Sequence, residues 1–99
     1  MTELKLRGGA RIGVLNVTWP FASLKVTKEK LELNVAIIGN LVFKSSDIVS
    51  IEPYSGFISR GLKINHNVPD YKDQVIFWTF ENPDEVINRI RQIGFLVKT

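Results

Sequence analysis

Apolar and polar residues alternate along most of this chain, which is the pattern of β-strands that bury one face. The alternation is cleanest from Leu31 to Ile37, where every second residue is Leu, Val or Ile. Turn residues interrupt it at the spacing typical of an antiparallel sandwich or barrel. The pattern predicts seven strands, at residues 10–18, 21–26, 31–37, 41–44, 48–51, 62–68 and 75–80.

Residues 16–21, NVTWPF, break the alternation. Pro20 cannot donate a ladder hydrogen bond, and it favours an extended or turn conformation at the residue before it. We therefore expect the first strand to stop at Thr18 or Trp19 and the Trp-Pro pair to form the first corner of the sheet. We also expect Trp19 to pack back onto the domain, because an indole buries a large apolar area. The alternative is that Trp19 stands exposed beside Phe21.

Two further interruptions follow in the middle of the chain. Gly39-Asn40 is a pair that accepts positive φ at low cost, so it is predicted to form a two-residue hairpin turn. Residues 54–61 are apolar without a clear period and contain two glycines. This stretch is predicted to be a loop, which either fills its own core or meets a partner. The alternative is an extension of a neighbouring strand.

Near the C-terminus, the spacing of apolar residues changes from that of a strand to that of a helix. Asn82 is a good N-cap residue, Pro83 suits the first helical position, and Gly94 suits a left-handed C-terminal cap. The apolar stripe between them has the i, i+4, i+7 spacing of a helix face, with Val86, Ile90 and Ile93. These features predict one amphipathic C-terminal helix of about 11 residues.

The composition excludes several kinds of catalytic and metal-binding site. The chain of 99 residues has no cysteine, and His66 is its only histidine. Disulfides, thiolate zinc sites and a cysteine nucleophile are therefore excluded, as are multi-histidine metal sites and the usual catalytic triads. We expect a protein without enzymatic activity, metal or cofactor.

The charge balance is mildly basic. The net charge is +3, and residues 1–66 hold nine Lys and Arg against five Asp and Glu. Acidic residues interleave with the basic ones, which disfavours a nucleic-acid surface. The start of the chain lacks the apolar middle of a secretion signal, and no apolar run approaches the roughly 20 residues of a membrane span. These features favour a cytoplasmic location.

Two short segments suggest a family. Thr27–Leu33 has the form T-x-x-x-L-x-L, and Phe43–Ile51 has the form F-x-x-x-D-I-x-x-I. With seven predicted strands and a final helix, the chain resembles the bacterial pleckstrin-homology-like group that includes GRAM-like domains. The resemblance implies a mainly β fold, in which residues 1–99 form one barrel or sandwich of seven antiparallel strands capped by one C-terminal helix. It also implies a binding module rather than an enzyme.

Family members that bind phosphoinositides carry a basic cluster at the end of the first strand and in the second. This chain has Asn16, Thr18, Trp19 and Ser23 there, with Lys25 as the single basic residue. Specific phosphoinositide recognition is therefore not expected.

The favoured site lies in the irregular stretch 54–61. Tyr and Arg are enriched at the energetic centres of interfaces, and large apolar residues accompany them here. We predict binding of a protein partner, or self-association, through Tyr54, Phe57, Ile58 and Arg60 or through an exposed sheet edge.

The alternative function is peripheral binding to an anionic membrane surface. Aromatic side chains can insert at the interface, and each nearby basic residue contributes about 1 kcal/mol. The residues of this alternative are Trp19, Phe21, Lys25, Lys28 and Lys30. The competing interpretation of the same residues is an exposed polar turn beside a core aromatic.

Overall fold

A computed structural model describes residues 2–95. Within them, seven antiparallel strands are followed by one α-helix. The strands are β1 (Glu3–Ile12), β2 (Leu15–Thr27), β3 (Leu31–Val35), β4 (Gly39–Phe43), β5 (Ile48–Ser55), β6 (Arg60–His66) and β7 (Val75–Trp78), and the helix is α1 (Pro83–Ile93). The predicted fold class is confirmed: mainly β, with one helix at the C-terminal end.

The strands form one curled sheet in the order β4-β3-β2-β1-β7-β6-β5. Strands that are consecutive in the chain pair with each other, except β4 and β5, which lie at the two edges. Residues Gly9–Ile12 of β1 also pair with β7, and this pairing joins the first four strands to the last three. The buried apolar residues form one core, and α1 packs on that core through β1, β2, β5 and β6.

The helix begins and ends where the sequence predicts. The side chain of Asn82 accepts hydrogen bonds from the backbone N–H groups of Asp84 and Glu85, at 2.9 and 3.4 Å. Gly94 follows the helix with a left-handed φ of 100°. The predicted apolar stripe is buried, with Val86, Ile90 and Ile93. These contacts are local, which is why the pattern predicted both ends.

The predicted first corner is wrong. The chain turns at Gly13 and Val14, and the Trp19–Pro20 peptide, which is cis, lies inside β2. The pairing of β1 with β2 is interrupted there, because Gly8 faces Ala22 while Ala10 faces Val17. Residues 18–21 therefore form a bulge opposite Gly9. A bulge accommodates proline because it interrupts the ladder of hydrogen bonds.

Other boundaries also differ from the prediction. The predicted strand 10–18 spans the turn at Gly13 and Val14, and β1 begins earlier, at Glu3. The turn between β3 and β4 consists of residues 36–38. The pair predicted to form this turn, Gly39-Asn40, is instead the start of β4. Ile37 takes the left-handed conformation in this turn, with φ 76°. Half of the predicted loop 54–61 is strand, because β5 extends to Ser55 and β6 begins at Arg60. Only residues 56–59 connect them.

Glycines allow β7 to lie close to both of its neighbours. A Cβ at Gly8 of β1 would lie 2.1 Å from the carbonyl oxygen of Trp78. A Cβ at Gly61 of β6 would lie 2.0 Å from the carbonyl oxygen of Phe77. Neither atom can move away without shifting the backbone of β7, so larger residues do not fit at these two positions.

We expect Gly61→Ala to lower the free energy of unfolding by about 2–3 kcal/mol, because the added methyl group would force β6 and β7 apart. Urea unfolding followed by circular dichroism measures this change. Ser59→Ala, at an exposed position of the same hairpin, is the control and should stay within about 0.5 kcal/mol of the wild type. An equally stable Gly61→Ala protein would contradict the close approach.

Candidate functional site

A surface cavity of about 740 Å³ lies where the β2 bulge, the β5–β6 hairpin and the end of β7 meet. Most of its large side chains are aromatic, so it is called the aromatic groove here. The residues that define it are Trp19, Phe57, Ile58, Arg60, Trp78 and Phe80. A cavity of this volume is in the range of ligand-binding sites in proteins.

The indole of Trp78 lies at the centre of the aromatic groove. On β7, Trp78 pairs with Gly9 on one side and Gly61 on the other. Its Nε1–H donates a hydrogen bond to Oδ1 of Asn16 at 2.8 Å, and its ring centroid is 5.9 Å from that of Tyr54. These contacts hold the ring in one place, with only part of its surface open to solvent.

Trp19 and Phe80 form one wall. Their ring centroids are 6.1 Å apart, and the side chains are 52% and 78% exposed. The expectation that Trp19 packs back onto the domain is therefore wrong, because about half of the side chain is exposed. The bulge at residues 18–21 turns the indole outward, where Phe80 is its aromatic contact.

The β5–β6 hairpin forms the opposite wall. A hydrogen bond from the Gly56 N–H to the Ser59 carbonyl, at 2.7 Å, closes the turn. Phe57 and Ile58 lie at the tip and are 102% and 89% exposed. A Cβ at Gly56 would lie 3.1 Å from Cη2 of Trp78, so glycine lets the turn approach the central indole closely.

Arg60 is the single charged residue among those that line the groove. Its Nη2 donates a hydrogen bond of 3.4 Å to the carbonyl oxygen of Phe80, which lies on the other wall. Within residues 2–95, Arg60 takes part in no ion pair. The groove thus combines large apolar side chains with polar lining residues and one cation, Arg60.

The structure brings the predicted partner residues together. Phe57, Ile58 and Arg60 line the groove, and Tyr54 lies against Trp78. The prediction missed Trp78, the last residue of β7, and Phe80, two residues beyond it. Their spacing could have revealed them, because two aromatic residues spaced by two would share one face of the predicted strand 75–80.

The residues of the lipid alternative are spread along β2. Trp19 lies in the groove and Phe21, 57% exposed, lies beyond Pro20. Lys25 is near the far end of the strand, and Lys28 and Lys30 lie after it, at the turn to β3. Lys28 follows Trp19 by nine positions, which is up to roughly 30 Å along an extended strand. The five residues therefore extend from the groove to the opposite end of β2 and the turn after it.

Carboxylates accompany two of these lysines. The Nζ atom of Lys25 is 4.0 Å from Glu3, and that of Lys30 is 3.7 Å from Glu32. The pKa of Glu32 is lowered, first by the hydrogen bond from Asn40 and then by the positive charges of Lys30 and Lys25. The lysines thus face negative charges of the protein itself, which weakens their attraction for an anionic surface.

His66 is held by the backbone. Its Nδ1 accepts a hydrogen bond of 3.0 Å from the Val68 N–H, and its Nε2 is 2.8 Å from the carbonyl oxygen of Lys72. The ring also contacts Phe43 and Tyr71. These interactions give His66 a structural role in the β6–β7 connection. Among residues 2–95, no three His, Asp or Glu side chains are placed to hold a metal ion.

Comparisons of this chain with protein-family models, with curated proteins and with solved structures found no match. The resemblance to the pleckstrin-homology-like group therefore stays a prediction. In the part of the chain that the structure describes, no helix has the length and apolar character needed to cross a membrane.

We expect Asn16→Ala to shift the indole Nε1–H resonance of Trp78 upfield, because the proton loses its acceptor at 2.8 Å. The loss in stability should be only about 0.5–1 kcal/mol, since water can reach the freed N–H. A ¹H–¹⁵N spectrum measures the shift, and Asn16→Asp, which keeps an acceptor oxygen, is the control. An unchanged Trp78 signal in Asn16→Ala would contradict the hydrogen bond.

Proposed function

We propose that this chain is a non-catalytic, pleckstrin-homology-like binding module that acts in the cytoplasm and holds a protein partner in the aromatic groove. The observation that carries the proposal is the set of large apolar side chains exposed around one cavity. Phe57 and Ile58 stand on one side of it, and Trp19 and Phe80 stand on the other. Exposed apolar residues that cluster in this way mark interaction sites, whereas scattered ones do not.

The composition of the groove supports a protein as the occupant. Trp and Arg are the residue types most enriched at the energetic centres of protein interfaces, and the groove contains Trp19, Trp78 and Arg60. Its walls are themselves exposed, so a small molecule would not be enclosed to the extent typical of small-molecule sites. A protein segment can cover the walls as well as fill the space between them.

The sheet edges are less suited to binding. On β4, the backbone N–H of Val42 already donates a hydrogen bond of 2.9 Å to Oη of Tyr71. On β5, Pro53 has no N–H to offer to an added strand. Self-association through strand addition is therefore a weaker proposal than occupation of the groove.

Peripheral lipid binding is the second candidate, and the exposure of Trp19 and Phe21 favours it. Co-sedimentation with vesicles of anionic lipid at low salt separates the two functions. The groove proposal expects the protein to stay in the supernatant. Retention by the vesicles that is lost in Trp19→Ser and Phe21→Ser would support the lipid candidate instead.

We expect Phe57→Ser combined with Ile58→Ser to weaken binding of linear peptides at least tenfold, a loss of about 1.4 kcal/mol or more. The wild-type chain is first used to select binders from a displayed library of random linear peptides. The selected peptides are then titrated against wild type and variant, by fluorescence anisotropy.

The matched control is Val14→Ser, which removes a side chain that is also almost fully exposed on a turn, but outside the groove. It should leave the affinities unchanged. Equal losses in the control and in the double variant, or a library that yields no binders, would overturn the proposed function.

A further inference from the structure

We propose that the partner of the aromatic groove is an acidic peptide segment, in which a carboxylate next to large apolar side chains pairs with Arg60. This inference rests on the proposed function and adds the chemistry of the partner to it. The apolar side chains of the partner would fill the space between the two walls.

The charges around the groove carry the inference. Arg60 lines the groove, and no Asp or Glu does. Arg7 lies next to the wall that contains Trp19, where its Nη1 donates a hydrogen bond of 3.1 Å to the carbonyl oxygen of Pro20. Among residues 2–95, neither arginine takes part in an ion pair. Glu81, which follows Phe80 in the chain, pairs with Arg89 at 2.9 Å. The two arginines without an ion pair therefore complement a negative segment.

The geometry of Arg60 suits a carboxylate. Its guanidinium has five N–H donors in a planar fork, and the structure uses Nη2 for one contact with the carbonyl oxygen of Phe80. The other donors remain for a ligand. A bound segment would also cover the apolar side chains of the walls near Arg60, and exclusion of water strengthens a charge-assisted hydrogen bond of this kind.

Other occupants fit less well. A second copy of this chain, placed on the same surface by a two-fold axis, would bring a second Arg60 to the interface, and like charges oppose each other there. Single-stranded nucleic acid needs several cations along its backbone besides stacking rings, whereas Arg60 is the one cation that lines the groove. A bilayer would contact the exposed walls and would not reach Trp78 between them.

The test uses the full chain and the displayed library of random linear peptides. The selected peptides should carry Asp or Glu beside large apolar residues. Replacing that acid with its amide should weaken binding roughly tenfold, as expected for the loss of a charged partner at an interface. The Arg60→Glu substitution should weaken binding of the original peptides at least as much. Peptides with Lys in place of the acid should bind this variant more tightly than the original peptides do.

The matched control is Arg91→Glu, which makes the same change of charge at an exposed position of α1. It should leave the affinities unchanged. The indole resonances of Trp19 and Trp78 report in the same titrations whether a peptide occupies the groove.

The outcomes separate the two proposals. Peptides that shift both indole resonances, but carry no acid or bind Arg60→Glu equally well, would overturn the acidic partner and leave the proposed function standing. Peptides that leave the indoles unchanged, or no selected peptides at all, would overturn both. If Arg60→Glu and Arg91→Glu weaken peptide binding equally, the peptides respond only to the net charge of the protein. This result would also overturn the pairing with Arg60.

Discussion

The close approach of β1 and β6 to β7 is the constraint on which the rest of this structure depends. A Cβ at Gly8 or Gly61 would lie 2.1 or 2.0 Å from a carbonyl oxygen of β7, a distance that no side chain tolerates. Because β1 pairs with both β2 and β7, this approach joins the two halves of the sheet into one curled surface. The core behind that surface is continuous for the same reason.

A further close approach, between β1 and β2, contributes to the aromatic groove. A Cβ at Gly9 would lie 2.4 Å from the carbonyl oxygen of Val17, so the bare glycine lets the β2 bulge fold over β1. The bulge turns Trp19 outward, and Trp78 lies between Gly9 and Gly61 with its ring on the same outer surface. The site is thus built from the backbone features that close the sheet, and it exists before any partner binds. A preformed site loses less conformational entropy on binding than a flexible one.

The exposed aromatic and aliphatic side chains around the groove do not contribute to the packing of the core. The inward faces of the strands and α1 supply the buried core, and Phe57 and Ile58 take no part in it. Exposed apolar side chains of this size lower the solubility of a free protein. The proposed burial against a partner would give them a physical role, and Arg60, which lines the same groove, would give that contact a preferred charge.

The sequence by itself determined the features that depend on near neighbours. The alternation of apolar residues located β3 to β7, whereas the predicted strand 10–18 ran across the turn between β1 and β2. Asn82 and Gly94 marked the ends of the helix, because capping contacts involve residues only a few positions apart. The sequence also indicated the candidate residues of the β5–β6 hairpin, because the apolar residues of that stretch do not follow the spacing of a strand or a helix. Tertiary structure decided the bulge at residues 18–21 and the groove, whose hydrogen bond between Asn16 and Trp78 joins residues 62 positions apart. A period of two shows which residues share a face, but strand pairing and backbone contact decide which faces meet.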